Sequence, residues 1–567
     1  MNNFKDYSKI LIIFLFSYFI LLSLFQFLPQ HWSAILDQDI YIIYNSLLIS
    51  SGLEQEYLDH PAYTTFLVLG SVYKILSIFF DNFTIQEILI SENIDENLQT
   101  LFIIGRILNS IYFGLFVLIL YSILKELNIE KKISMLSTFL IVFFSDTFQL
   151  LFLLRSEILS VLMFLLFLYF LIKFIKNKNK INYCFFSGFF FCLAMLAKIQ
   201  VVFLFLTLIV SLPFLFNYFA IPTNKNYLIH IKKYYISSLI FLTIFFIGYF
   251  MIQIIVGSTL ANAFQVQKLY FTNNLDFFLI LIFIIFYVFL IKYLTAKGKT
   301  NSSEIIITIS MILVGFTCCI VFIFFLDLID LIPLNKLVLM RIMNPLSYLS
   351  QFINQATDYN INIITTLSKF FYGALGSQPV DFNKGVAAPK ELKTILLIEL
   401  PLFFRTLNII IFTSLFYLLC KKIKNNNLIL LSLVLFLGIF IYFLSSNFRE
   451  THGYNIYLFP LFIILASIIL NKLEKKFVIT FYLLLSTSFL SETVLMFDQH
   501  KNHFMRKPRI YAICGIEKWK NPRSYRADYD KSSYISLYPI ESVYWLFNYN
   551  FKKFDQQFFI KYCEQMK

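Results

Sequence analysis

Runs of about 20 apolar residues recur along almost the whole chain, and each is long enough to cross a bilayer as a helix. This constrains the fold more than any other feature. Lipid cannot satisfy open backbone groups, so segments of this kind must be helices. The chain of 567 residues is 59% hydrophobic, contains 71 Phe and has a mean hydropathy of +0.74. A soluble protein of that size would need far more polar surface. The net charge of +14 would suggest nucleic acid in a soluble protein. Here the lysines sit in short loops between apolar runs, which is the positive-inside signature.

Read in order, the spans fall at about 10–28, 100–124, 133–146, 157–173, 183–197, 200–220, 234–256, 275–294, 304–326, 395–419, 428–445, 454–470 and 477–495, each judged by length and hydropathy. The expected fold is an all-α integral membrane bundle of about 13 transmembrane helices, with interfacial helices in the first outer loop. One set of connections is rich in lysine: Lys5 and Lys9, then Lys125, Lys131 and Lys132, then Lys173, Lys176, Lys178 and Lys180, with later groups such as Lys472, Lys475 and Lys476. The alternate turns hold about one basic residue each, Arg155, Lys198, Lys268 and Arg449, which places them outside. Residues 29–98 form a first outer loop and 327–394 a long outer loop within a membrane domain of 1–496; 497–567 reads as a small polar outer domain. The apolar segment 61–80 is interrupted by Lys74 and reads as a helix lying in the interface or re-entrant. Cys184, Cys192, Cys318, Cys319 and Cys420 read as small hydrophobes. Cys514 and Cys563 could pair if the tail is outside.

Ionisable groups beside a membrane mark candidate functional positions. The stretch Leu36–Pro61 gathers Asp37, Asp39, Glu54, Glu56, Asp59 and His60. Further outer charges are Arg155, Glu157, Lys198, Arg449, Glu450 and His452. A site built from these faces outward, where a cytoplasmic nucleotide-sugar does not reach, whereas a lipid-linked donor does.

One span, an acidic outer loop, an amphipathic stretch and a His-Pro, in that order, resemble the GT-C superfamily of polytopic glycosyltransferases. The branch most resembled is that of the protein O-mannosyltransferases and lipid A aminoarabinose transferases (PMT-like). The motifs are Asp37-Gln38-Asp39-Ile40-Tyr41 followed by Ser51-Gly52, then Asp59-His60-Pro61-Ala62-Tyr63, Arg106, and the Gly188 to Lys198 stretch, with weaker echoes from Arg449 to Pro460. Gln38 stands where the branch has an acid, and Ala62 where it has a second proline.

The resemblance implies a glycosyltransferase that moves a sugar from a polyprenyl-phosphate donor to a hydroxyl of a glycan, lipid or protein at the outer face of a bacterial cytoplasmic membrane. Asp37 is then the general base, with Asp39 orienting the acceptor; the alternative for both is capping of the helix that begins near Ile40. The phosphate falls to His60, Lys198, Arg449 and His452, with Arg155 and Arg106 behind them. Asp59 either orients His60 or is a surface acid. Lys198 is otherwise a snorkelling interface lysine, Arg449 a loop charge and His452 an interfacial histidine. No cofactor is required on this reading; Asp37 and Asp39 are oxygen ligands that a divalent ion could use, although no spacing demands one. The rival readings are a lipid-linked oligosaccharide flippase, which predicts charges inside spans and internal repeats, and a polysaccharide polymerase or ligase, which leans on Arg and His in a long loop.

Overall fold

A computed structural model of the chain describes residues 2–25, 38–55, 62–91, 94–142, 154–177, 180–199, 201–219, 302–334, 455–484 and 486–487. Among them every regular element is helical. They are α1 (Asn2–Phe25), α2 (Gln38–Ser50), α3 (Tyr63–Leu76), α4 (Ile85–Ile90), α5 (Ile94–Glu126), α6 (Lys131–Val142), α7 (Ser156–Lys176), α8 (Ile181–Ala197), α9 (Val201–Phe219), α10 (Ser302–Leu328) and α11 (Asn455–Leu470). Among the described residues, three stretches are long and apolar enough to cross a membrane: Glu96–Glu126, Ser156–Lys176 and Glu304–Leu328. The spans expected at 234–256, 275–294, 395–419 and 428–445, most of the 327–394 loop, and the 497–567 tail with Cys514 and Cys563 lie outside the described residues.

The expected helices near 157–173, 183–197, 200–220, 304–326 and 454–470 are present with ends shifted by a few residues, as helix ends commonly are. Two helices begin well before their expected starts: α1, at Asn2 rather than near 10, and α5, at Ile94 rather than near 100, which takes in Asp95 and Glu96. Acidic residues in a first turn complement the helix dipole, so a polar stretch that looks like loop extends the helix by a turn.

The centre of the bundle is a stack in which α7 packs on α8, α8 on α10, and α5 on α7. Leu165, Leu171 and Ile175 of α7 are fully buried, and the ring of Phe167 meets those of Phe191 and Phe205. The α8–α10 crossing is close because each helix offers a glycine. A Cβ at Gly188 would meet the Ile312 carbonyl oxygen, and one at Gly315 would meet that of Phe185. Close backbone approach through small residues is how membrane helices gain dispersion without a hydrophobic driving force. Cys184 and Cys192 are buried on α8, and Cys184 Sγ donates to Thr308 O at 3.2 Å, in keeping with packing roles.

The lysine-rich ends meet at one end of the bundle. Lys176 Nζ, at the close of α7, donates to Glu126 Oε2 at 2.9 Å and to the Glu126 carbonyl at 3.0 Å, at the close of α5. Lys131 opens α6 and pairs with Asp6 of α1. Asn471, just past α11, accepts from Glu130 N at 2.9 Å. The starts of α1 and α6 and the ends of α5, α7 and α11 therefore share one end, as the charge alternation requires.

The second layer is α2 and α3, joined through the Gly52 turn, whose φ of 74° suits glycine. A Cβ at Gly70 would lie 2.7 Å from Ser46 O, so the two helices also cross closely. At 14 residues, α3 is about 21 Å long, short of the roughly 30 Å hydrocarbon core. Its face of Tyr63, Phe66, Leu69, Gly70 and Tyr73 is buried against the bundle. Tyr73 donates to Leu101 O at 2.9 Å and ties its last turn to α5. Thr84 and Glu87 then form a capping box that starts α4.

Candidate functional site

The end of the bundle opposite the lysine-rich one is assembled by three short-range locks. Ser160, in the first turns of α7, donates to Ala194 O at 3.0 Å, near the close of α8. Thr64, at the start of α3, donates to Leu193 O at 2.8 Å. A Cβ on Gly105 of α5 would touch Leu154 at 2.8 Å and Ile43 of α2 at 3.5 Å. The last contact brings α2, the Arg106 turn of α5 and the residue preceding Arg155 to one place. The other two bring the start of α3 and the end of α8 beside the start of α7.

At this junction lies a buried ion pair. Lys198 caps the C-terminus of α8 in extended conformation, and its Nζ donates to Glu157 Oε1 at 2.9 Å. The two side chains are 0% and 2% exposed. Arg155 precedes α7 with an extended backbone, and its charge acts on the same carboxylate. Arg106 is 1% exposed, with its guanidinium 5.7 Å from the centre of the Phe102 ring. Lone charges in such surroundings are costly, and pairing is what makes them tenable. Lys198 and Arg155 both act on the Glu157 carboxylate, so cationic side chains gather at this junction.

Of the residues expected from sequence, Arg106, Arg155 and Lys198 are placed by the structure. Arg155 and Lys198 lie around Glu157, and Arg106 is adjacent to the Gly105 contact. Asp39 lies in α2, one turn before Ile43. Asp37, Asp59, His60, Arg449 and His452 lie outside the described residues. The snorkelling alternative for Lys198 is corrected: at 0% exposure the ammonium is held by a carboxylate rather than reaching for water. Glu157, read from sequence only as an outer charge, is instead a fully buried partner in the first turn of α7. Its one sequence signal is an acid directly after Arg155-Ser156 at the head of a long apolar run. Among the described residues no group of three His, Cys, Asp or Glu side chains is placed to hold a metal ion.

Comparison with known proteins bears on the same region. Residues 100–250 match the family described as dolichyl-phosphate-mannose-protein mannosyltransferase. That segment holds Arg106, Arg155, Glu157 and Lys198. Over that segment, about a quarter of the chain, the sequence is similar to this mannosyltransferase family. Among solved structures, the oligosaccharyltransferase of Archaeoglobus fulgidus, crystallised with a tethered acceptor peptide, is similar at 13% identity and a TM-score of 0.44. The match covers 90% of this chain and 58% of that one, so the chain spans under two thirds of that enzyme's length. No curated protein matches.

Proposed function

We propose that the chain is a membrane glycosyltransferase that takes a sugar from a polyprenyl-phosphate carrier and passes it to a hydroxyl of a glycan, lipid or protein on the outer face of the membrane. The observation that carries this reading is the buried Glu157–Lys198 pair, with Arg155 and Arg106 at the same end of the bundle, inside the segment that matches the mannosyltransferase family. In such a transfer the acceptor oxygen attacks the anomeric carbon and the carrier leaves as a phosphate. The leaving group needs positive charge fixed in place before the bond breaks, because preorganised charge costs no reorganisation during reaction. Lys198 supplies a point charge and Arg155 a forked donor to phosphate oxygens, with Arg106 behind them.

On this reading the proton on the acceptor falls to Asp37, with Asp39 orienting the hydroxyl. General-base catalysis by one carboxylate is worth about 10²–10⁴-fold. His60, which Asp59 would orient, and Arg449 and His452 are the further phosphate-binding residues of this proposal. The membrane-face assignment rests on the lysine alternation, because the arginine- and carboxylate-bearing junction lies at the end away from the lysine-rich one.

The test is transfer by purified protein in lipid with a panel of polyprenyl-phosphate sugars and membrane acceptors. Lys198→Ala in a folded, inserted protein is expected to lower transfer by weakening donor use. Transfer equal to wild type in that variant removes Lys198 from the phosphate role.

A further inference from the structure

The C-terminal turn of α3 and the C-terminal end of α10 form one apolar ledge on the outside of the molecule. At the end of α3 the ledge is made by Ile75 and, in the turn that follows, Ile78, Phe79 and Phe80, all exposed, with Ile78 at 73%. At the end of α10 it continues through Leu328, exposed at 71%, and through Ile329 and Leu331 of the following turn. The two parts are joined by Lys74, whose Nζ donates to Leu331 O at 3.2 Å. A second tie runs from the other end of α3, where Tyr63 donates to Pro333 O at 3.5 Å.

The ledge does not end at α10's last turn. It runs on into Val321, Phe322, Phe324 and Phe325, the exposed side of a stretch long enough to span a bilayer. Only 44% of that stretch's apolar window is buried inside the protein. The exposed side of such a helix is lipid-facing, so the ledge is continuous with a lipid interface. Asp81 and Asp330, both exposed, border it. A boundary from apolar to acidic side chains marks headgroup level.

Lys74 is the exception within the ledge. It is exposed among apolar neighbours, and among the described residues it makes no ion pair. One of its three protons is used by Leu331 O. An ammonium at that level, flanked by hydrocarbon-seeking side chains, calls for an anion at the headgroup depth.

We propose that this ledge binds an anionic phospholipid, with acyl chains on the apolar side chains of 75–80 and 328–331 and the headgroup phosphate on the Lys74 ammonium. The bound lipid fastens the α2–α3 layer to the membrane at α3's outer turn. The proposal does not rest on the enzymatic reading.

The full chain carrying Phe79→Trp is reconstituted in nanodiscs containing brominated phosphatidylglycerol or brominated phosphatidylcholine. The signal of the three native tryptophans is recorded in the parent and subtracted. The added emission is expected to be quenched by brominated lipid and shielded from aqueous iodide. Phosphatidylglycerol is expected to be favoured about fivefold over phosphatidylcholine, the size of one surface lysine's attraction for anionic lipid. Adding Lys74→Gln is expected to bring that ratio close to unity while lipid quenching persists. Quenching by iodide and not by lipid overturns the ledge. Equal quenching by the two lipids, or a preference that survives Lys74→Gln, overturns the phosphate contact.

Discussion

At the scale of single residues, the Glu157–Lys198 pair is the most consequential contact. Both side chains are out of solvent, so removing one partner strands the other. Breaking a buried pair of this kind costs about 3–5 kcal/mol, whereas replacing both charges by apolar groups is often neutral. Glu157→Gln or Lys198→Met alone is therefore expected to lower the thermal midpoint sharply in lipid. Glu157→Leu combined with Lys198→Met is expected to recover most of the midpoint while transfer stays lost. A double variant that regains transfer would show that the pair serves stability alone. Neither the pair nor its burial could be read from sequence. The partners are 41 positions apart, and only the packing of α7 on α8, locked by Ser160, brings them together. What could be read was that both residues flank apolar runs on the sparsely charged side.

At the scale of elements, the α8–α10 crossing depends on two missing side chains. A methyl at Gly188 would be driven into the backbone carbonyl of Ile312, which cannot turn aside as a flexible side chain could. Overpacking commonly costs about 1–3 kcal/mol, and a backbone neighbour puts Gly188→Ala at the upper part of that range, read as a lowered unfolding midpoint. An unchanged midpoint would mean that the helices part without cost. The α1–α6 contact responds to pH instead. Lys131, donating to the Asp6 carboxylate, holds that carboxyl below its ordinary value of 3.8, with Lys125 and Lys9 adding to the effect and partial desolvation opposing it. A lowered folded value means the contribution is present above the unfolded value and is lost as pH falls through the folded one. The midpoint gap between wild type and Asp6→Asn is thus expected to stay constant from pH 7 to about 5 and to shrink below 3.8. A gap that widened on acidification would contradict the assignment.

At the scale of the whole molecule, hydropathy and lysine placement carried most of the architecture. Five expected spans are helices with nearly the expected ends, and the ends of α5, α7 and α11 gather where the lysines require. The early start of α5 was hidden because Asp95 and Glu96 look like loop until their place in a first turn is known. The interfacial reading of 61–80 comes from Lys74 and from the parity of the charged loops; the contact of Lys74 with Leu331, 257 positions away, has no local signal. The cationic half of the candidate site was legible as residue types, with Arg155 and Lys198 on one side and Arg106 in order. The relation of the Asp37 base to those cations is the part that the account proposes.

The most direct test of that claim is sugar transfer by the full chain reconstituted in lipid, wild type against Asp37→Asn, with polyprenyl-phosphate sugars as donors. The account predicts a loss of about 10²-fold or more, the range of general-base catalysis, with the variant folded and inserted as wild type is. Transfer by Asp37→Asn at the wild-type rate would contradict it and place the base elsewhere in the chain.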